Sequence, residues 1–199
     1  MIEVFGAGRV GMKLSPGGGY NDMGYVRSFV IFFVLCLILV FRMPIKDTLE
    51  TFGYFIKEAD KLKIAYIILV RYDASQSPVF DGRLPLPIIL YNNNNNNWAI
   101  GVVRGTDHDM IQSYKPFFKH SKFILNLGLS PDEAEALIKD GKIDAAMFGS
   151  LWISNPDVAR RIEKGIPLRE DIDWVNVYGH GVGGDQRKGY TDYPFAEEN

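Results

Sequence analysis

Twice between residues 123 and 164 the chain repeats one order: a short apolar run, a glycine, then a stretch that opens with a helix-start signal. The run FILNL (123–127) precedes Gly128, and the run IDAAMF (143–148) precedes Gly149. Between them Ser130, Pro131 and Glu133 supply a hydroxyl N-cap, a proline for the first turn and a glutamate to complete a capping box. That helix carries Ala134, Leu137 and Ile138 on one face and stops at Gly141, with Lys139 and Lys142 near its negative end. Asn155 and Pro156 read as the opening of a further helix that runs to about Lys164. Only a helix-length crossover returns a chain to begin a parallel strand, so this alternation predicts an α/β fold with right-handed βα units. The apolar run IAYIILV (64–70) suits a parallel strand covered on both faces, and residues 48–62 before it have helical spacing. With a shorter strand at 10–14, four units are expected, beginning at Val10, Ile64, Phe123 and Ile143. A helix is also expected over 108–120, with Thr106 as N-cap, His108 in a capping role at its start, and Pro116 dividing it.

Two segments interrupt this order. Residues 29–41 read FVIFFVLCLILVF between Arg27 and Arg42, 13 apolar residues where a membrane span needs roughly 20. A buried segment is therefore the first reading and a membrane anchor the alternative. The second interruption, 84–102, holds six consecutive asparagines (92–97), a polar tract that cannot bury apolar area and is expected to form a disordered surface excursion.

Charge and cysteine content remove several function classes. Lys plus Arg total 22 against 24 for Asp plus Glu, a net charge of −2 without the basic footprint that nucleic acid requires. One cysteine, Cys36, allows neither an internal disulfide nor a multi-thiolate zinc site. The three histidines do not share metal-ligand spacing, and neither HExxH, nor a P-loop, nor a nucleophile elbow occurs. No metal site and no hydrolase are expected. The first residues show no secretion signal, so the expected setting is cytoplasmic.

In parallel α/β folds ligands gather beyond the carboxyl ends of strands. That selects 15–19, 71–75, 126–130 and 149–155 as candidate loops. The last two combine glycine with a helix start, where free amides and the helix dipole suit a phosphate. Gly6-Ala7-Gly8-Arg9-Val10-Gly11 spells GxGxxG after a possible strand at 2–5, but Pro16 and three glycines follow where a helix should run. No acidic strand end stands about 20 residues on, so the dinucleotide reading fails in context.

The segments FGAGRVGMKLSPGG (5–18), ETFGYFIKEADKL (50–62), LGLSPDEAEALIKDGKIDAAMFGSLWISNPD (127–157) and GYTDYP (189–194) together resemble the Old Yellow Enzyme family in order and spacing. The resemblance implies an FMN-dependent ene-reductase fold, the (β/α)8 TIM barrel, and covers its carboxyl-terminal half, units five to eight. Residues 1–199 then form one partial barrel domain with inserts at about 25–42 and 84–102. The sequence on either side of each insert joins smoothly, as retained intron sequence would leave it. Without them about 160 residues remain, against roughly 250 for a full barrel.

The same resemblance implies roles. Lys13 stands where the family's RxSP arginine approaches the flavin ring. Gly128 and Leu129 match the amides that hold the FMN phosphate. Gly149 and Ser150 match the phosphate-binding Phe-Gly-Arg, with serine replacing the arginine. Tyr190 resembles a residue near the substrate pocket. The cofactor implied is FMN with NAD(P)H as reductant, and the partner is a small molecule carrying an activated alkene. The family's proton-donating tyrosine and substrate-gripping pair belong to the other barrel half, so no catalytic residue is assigned. Two alternatives stand beside this reading: a catalytically incompetent fragment, and a membrane-associated protein anchored by 29–41. Half a barrel also leaves open sheet edges through which the chain could self-associate.

Overall fold

The computed structural model describes residues 1–18, 45–72, 90–92, 98–100, 106–177 and 184–197. They fall into two compact units, one of Met1–Gly128 with Ala134–Ala146, the other of Leu129–Glu133 with Met147–Asn199. The apolar run at 29–41 and Cys36 lie outside the described residues. Among the described residues no helix is long and apolar enough to cross a membrane.

The four expected strands form one sheet. Strand β1 (Gly11–Leu14) pairs with β2 (Tyr66–Val70), and β2 pairs in parallel with β5 (Lys122–Asn126). The sheet order is completed by β6 (Ala145–Met147) beside β5. The aliphatic and aromatic side chains of the inner strands make the core: Ile67, Leu69, Phe123 and Leu125 are each 0% exposed. The edge strand β1 alternates between exposed and half-buried residues instead.

Helix α2 (Ile45–Lys61) precedes β2 and buries Ile56 and Ala59 on its core side. Gly53 lets it approach Phe117, whose ring lies 3.1 Å from where a Cβ would be. Near the helix end, the buried Asp60 carboxylate accepts the amides of Lys119, His120 and Ser121, which ties α2 to the segment entering β5.

Local structure differs from expectation at five places. Residues 2–5 form a one-turn helix, α1 (Ile2–Phe5), followed by a 3-10 turn, and Gly11 opens a strand. The GxGxxG string therefore has neither its preceding strand nor its following helix. Strand β3 (Leu90–Asn92) pairs antiparallel with β4 (Trp98–Ile100), which puts Asn92 opposite Trp98; the rest of the asparagine tract, 93–97, lies outside the described residues. The helix expected over 108–120 is only α3 (Met110–Tyr114), continued by a 3-10 turn containing Pro116. Its cap is Asp109, which accepts from the amides of Ile111 and Gln112, and not Thr106 or His108. A carboxylate two residues before the accepted amide reaches them directly, whereas Thr106 is already bonded to the β1 exit.

Helix α4 (Pro131–Lys139) starts as expected, with Ser130 Oγ accepting the Glu133 amide at 3.1 Å. In the second unit the stretch expected as a loop at 149–155 folds into a short helix, α5 (Ser150–Ser154). Asn155, expected to open the next helix, instead donates its side-chain amide to Leu151 and Arg169 carbonyls. Helix α6 (Val158–Lys164) begins after Asp157, whose carboxylate pairs with Arg161 at 2.7 Å and accepts the Ala196 amide.

Candidate functional site

The candidate site is built from the turns that leave the strands. At β1, Lys13 is exposed and stands in register with Ile68 of β2, which is in register with Ile124 of β5. The following turn is wedged in place. Pro16 and Gly17 are buried, the Gly17 carbonyl accepts the Thr106 amide at 3.1 Å, and the Thr106 hydroxyl donates to Pro16. A Cβ on Gly17 would lie 2.9 Å from Met110 Cε and 3.0 Å from the Tyr72 backbone nitrogen, so any larger residue forces its neighbours to shift.

Behind Thr106 sits His108. Its Nδ1 is 3.0 Å from the Thr106 carbonyl and its Nε2 3.0 Å from the Tyr114 hydroxyl. Burial pulls the His108 imidazole below its ordinary value, against the opposing pull of the Thr106 carbonyl, Asp107 and Asp109. Burial also pushes the Tyr114 hydroxyl well above its ordinary range.

At the exit of β5 the backbone turns through two consecutive left-handed residues, Leu127 (φ 81°) and Gly128 (φ 64°). Glycine adopts that conformation freely, but for leucine it is strained. Arg71, the first residue beyond β2, holds this turn. Its amide donates to Asn126 at 3.0 Å, its Nε to the Leu127 carbonyl at 2.9 Å, and its Nη2 to the Gly128 carbonyl. Sequence reasoning placed Arg71 only at the start of a loop. The available signal was a cation directly after an uninterrupted apolar run, at the strand end where ligands gather.

In the second unit, Gly149 is exposed, with open space around its missing Cβ, and it serves as N-cap of α5 without any side-chain capping bond. Ser150 is the first residue of that helix. Tyr190 is 46% exposed and follows Gly189, whose left-handed backbone (φ 68°) packs against Asp173 and Asn176. Lys13 and Gly128 thus belong to one unit, and Leu129, Gly149, Ser150 and Tyr190 to the other. Among the described residues no group of three His, Cys, Asp or Glu side chains could hold a metal.

No protein-family model matches the chain. It is 46% identical over 76 residues to flavin oxidoreductase hxnT of Emericella nidulans, a match covering 38% of this chain and 18% of that protein. It is 35% identical over 91 residues to 12-oxophytodienoate reductase 1 of Oryza sativa subsp. japonica, covering 46% of this chain and 22% of that one. The chain thus spans less than a quarter of the length of these curated relatives. The structure of the old yellow enzyme from Trypanosoma cruzi superposes with a TM-score of 0.65 at 20% identity, covering 98% of this chain and 37% of that one. The four-stranded sheet is accordingly part of an α/β barrel. Over the portion of the barrel that it carries, the chain is similar to flavin oxidoreductases, 12-oxophytodienoate reductases and old yellow enzymes.

Proposed function

We propose that this chain is the phosphate-binding part of an FMN-dependent oxidoreductase of the ene-reductase type. The observation that carries the reading is α5, a one-turn helix immediately after the last strand, whose first amides no side chain caps. Barrel enzymes use such an extra helix, together with the preceding strand's exit turn, to seat a phosphate. In our reading the amides of Gly128, Leu129, Gly149 and Ser150 hold the FMN phosphate. The donor set suits a phosphate monoester, because it consists of amides and one hydroxyl that need no deprotonation. Lys13 would lie toward the flavin pyrimidine and keep a positive charge there, although an ammonium lacks the planar fork of arginine. Tyr190 would border the substrate. Bound FMN supplies hydride transfer from NAD(P)H to an activated alkene.

Residues 1–199 are read as one partial barrel domain, acting on a small molecule in a cytoplasmic setting, without nucleic acid, and able to self-associate through its sheet edges. A second reading, FMN binding without turnover, is favoured by Ser150 standing where the resemblance calls for arginine.

The test is titration of the purified full chain with FMN, followed by flavin fluorescence, then addition of NADPH without oxygen. Quenching together with bleaching supports the oxidoreductase. Quenching alone supports the second reading, and neither removes the phosphate-site assignment.

A further inference from the structure

We propose that Arg71 is the positioning residue of the β5 exit, fixing which way the amides of Gly128 and Leu129 point. This rests on the phosphate-site reading above and adds a residue that the family resemblance did not single out.

The geometry follows from peptide planarity. In a trans peptide the N–H lies opposite the C=O of the same unit. Arg71 holds the carbonyls of Leu127 and Gly128 with Nε and Nη2, so the Gly128 and Leu129 N–H groups of those two units face away from the guanidinium. The Arg71 amide holds the Asn126 carbonyl just before them. Three consecutive carbonyls are thereby engaged by one residue. The strained φ of 81° at Leu127 is the second observation, since a leucine remains left-handed only where its surroundings enforce it. The rigid fork of arginine matches two adjacent carbonyls, and lysine, a point donor, cannot reproduce it.

The experiment compares FMN with riboflavin, which differ only in the phosphate, in the full chain and in Arg71→Lys. The wild-type chain is expected to prefer FMN. Arg71→Lys is expected to reduce that preference about tenfold, the size of one misaligned hydrogen bond to a charged group, with riboflavin affinity unchanged. Arg71→Lys that keeps the wild-type preference would show that charge alone is at work and overturns the proposal. The double variant Arg71→Lys/Leu127→Gly is expected to recover part of the preference, because glycine removes the strain that the arginine opposes.

Amide NMR of the wild-type chain supplies a measurement independent of variant folding. Inorganic phosphate is expected to shift the Gly128 and Leu129 resonances, and no shift at either overturns the outward presentation. If wild-type chain binds no flavin but these two amides respond to phosphate, the cofactor reading fails while the role of Arg71 stands.

Discussion

His108 Nε2 accepts the hydroxyl proton of the fully buried Tyr114 across 3.0 Å. At the other end of the ring Nδ1 faces the Thr106 carbonyl at 3.0 Å, which can only accept, and the Thr106 hydroxyl at 3.1 Å, so the tautomer assigned puts the hydrogen on Nδ1. Protonating His108 would leave the Tyr114 hydroxyl without its acceptor. Because the folded pKa lies below 6.5, the neutral ring contributes stability that is complete above that value and lost as pH falls through the folded pKa. Urea unfolding at pH values on either side of 6.5 is expected to show this decline. Tyr114→Phe should cost about 1 kcal/mol and raise the His108 pKa, which NMR titration of the ring protons measures. An unmoved pKa would contradict the tautomer assigned here.

Asp60 provides the second pH-linked contact. Burial pushes its carboxyl up, but the amides of Ser121, His120 and Lys119 together hold it below 3.8. A depressed carboxylate stabilises the fold above its unfolded value and loses that contribution as pH falls through the folded one. Asp60→Asn replaces a charged acceptor of buried amides and should cost about 2 kcal/mol near neutral pH. The gap between wild type and variant should close in acid, and a constant gap down to pH 2 would contradict the assignment.

Gly17→Ala tests the wedge at the β1 exit. A Cβ there would be 3.0 Å from the Tyr72 backbone nitrogen, which cannot swing aside as the end of a side chain can. The expected loss is about 1–3 kcal/mol in thermal or urea unfolding. Hydrogen exchange at the Thr106 amide should quicken, since its acceptor is the Gly17 carbonyl. Wild-type stability in the variant would mean the turn has room that the packing denies.

Asp157→Asn should loosen the carboxyl-terminal tail. The carboxylate serves Arg161 and the Ala196 amide at once, and Arg161 further donates to the Pro167 and Pro194 carbonyls. Limited proteolysis is expected to cut the tail faster in the variant, while the bonds of Asp60 to 119–121 in the other unit stay unchanged by hydrogen exchange. Equal cleavage rates would show that the tail is held elsewhere.

The strands were legible because each is an apolar run closed by a turn residue, and the start of α4 because serine, proline and glutamate mark it in three adjacent turns of logic. The helix α5 was not, since SLWIS is too short for a period and has no capping side chain to announce it. Asp109 displaced Thr106 as the α3 cap because the hydroxyl of Thr106 was engaged by Pro16, 90 residues earlier in the chain. The same distance hid Arg71. Its guanidinium donates to main-chain carbonyls 56 and 57 positions away, and main-chain atoms leave no trace in residue identity. The parallel order of β1, β2 and β5 was legible too, and its register puts Lys13 level with Ile68 and Ile124, four residues before Gly128.

Strand β1 hydrogen-bonds to β2 along one side only among the described residues, and its side chains alternate between exposed and half-buried. Whatever completes that ladder contributes directly to folding free energy, by mass action. Where a second copy is what completes it, the melting temperature rises with protein concentration, so crowding by its own copies becomes a variable of the native state rather than a hazard to it.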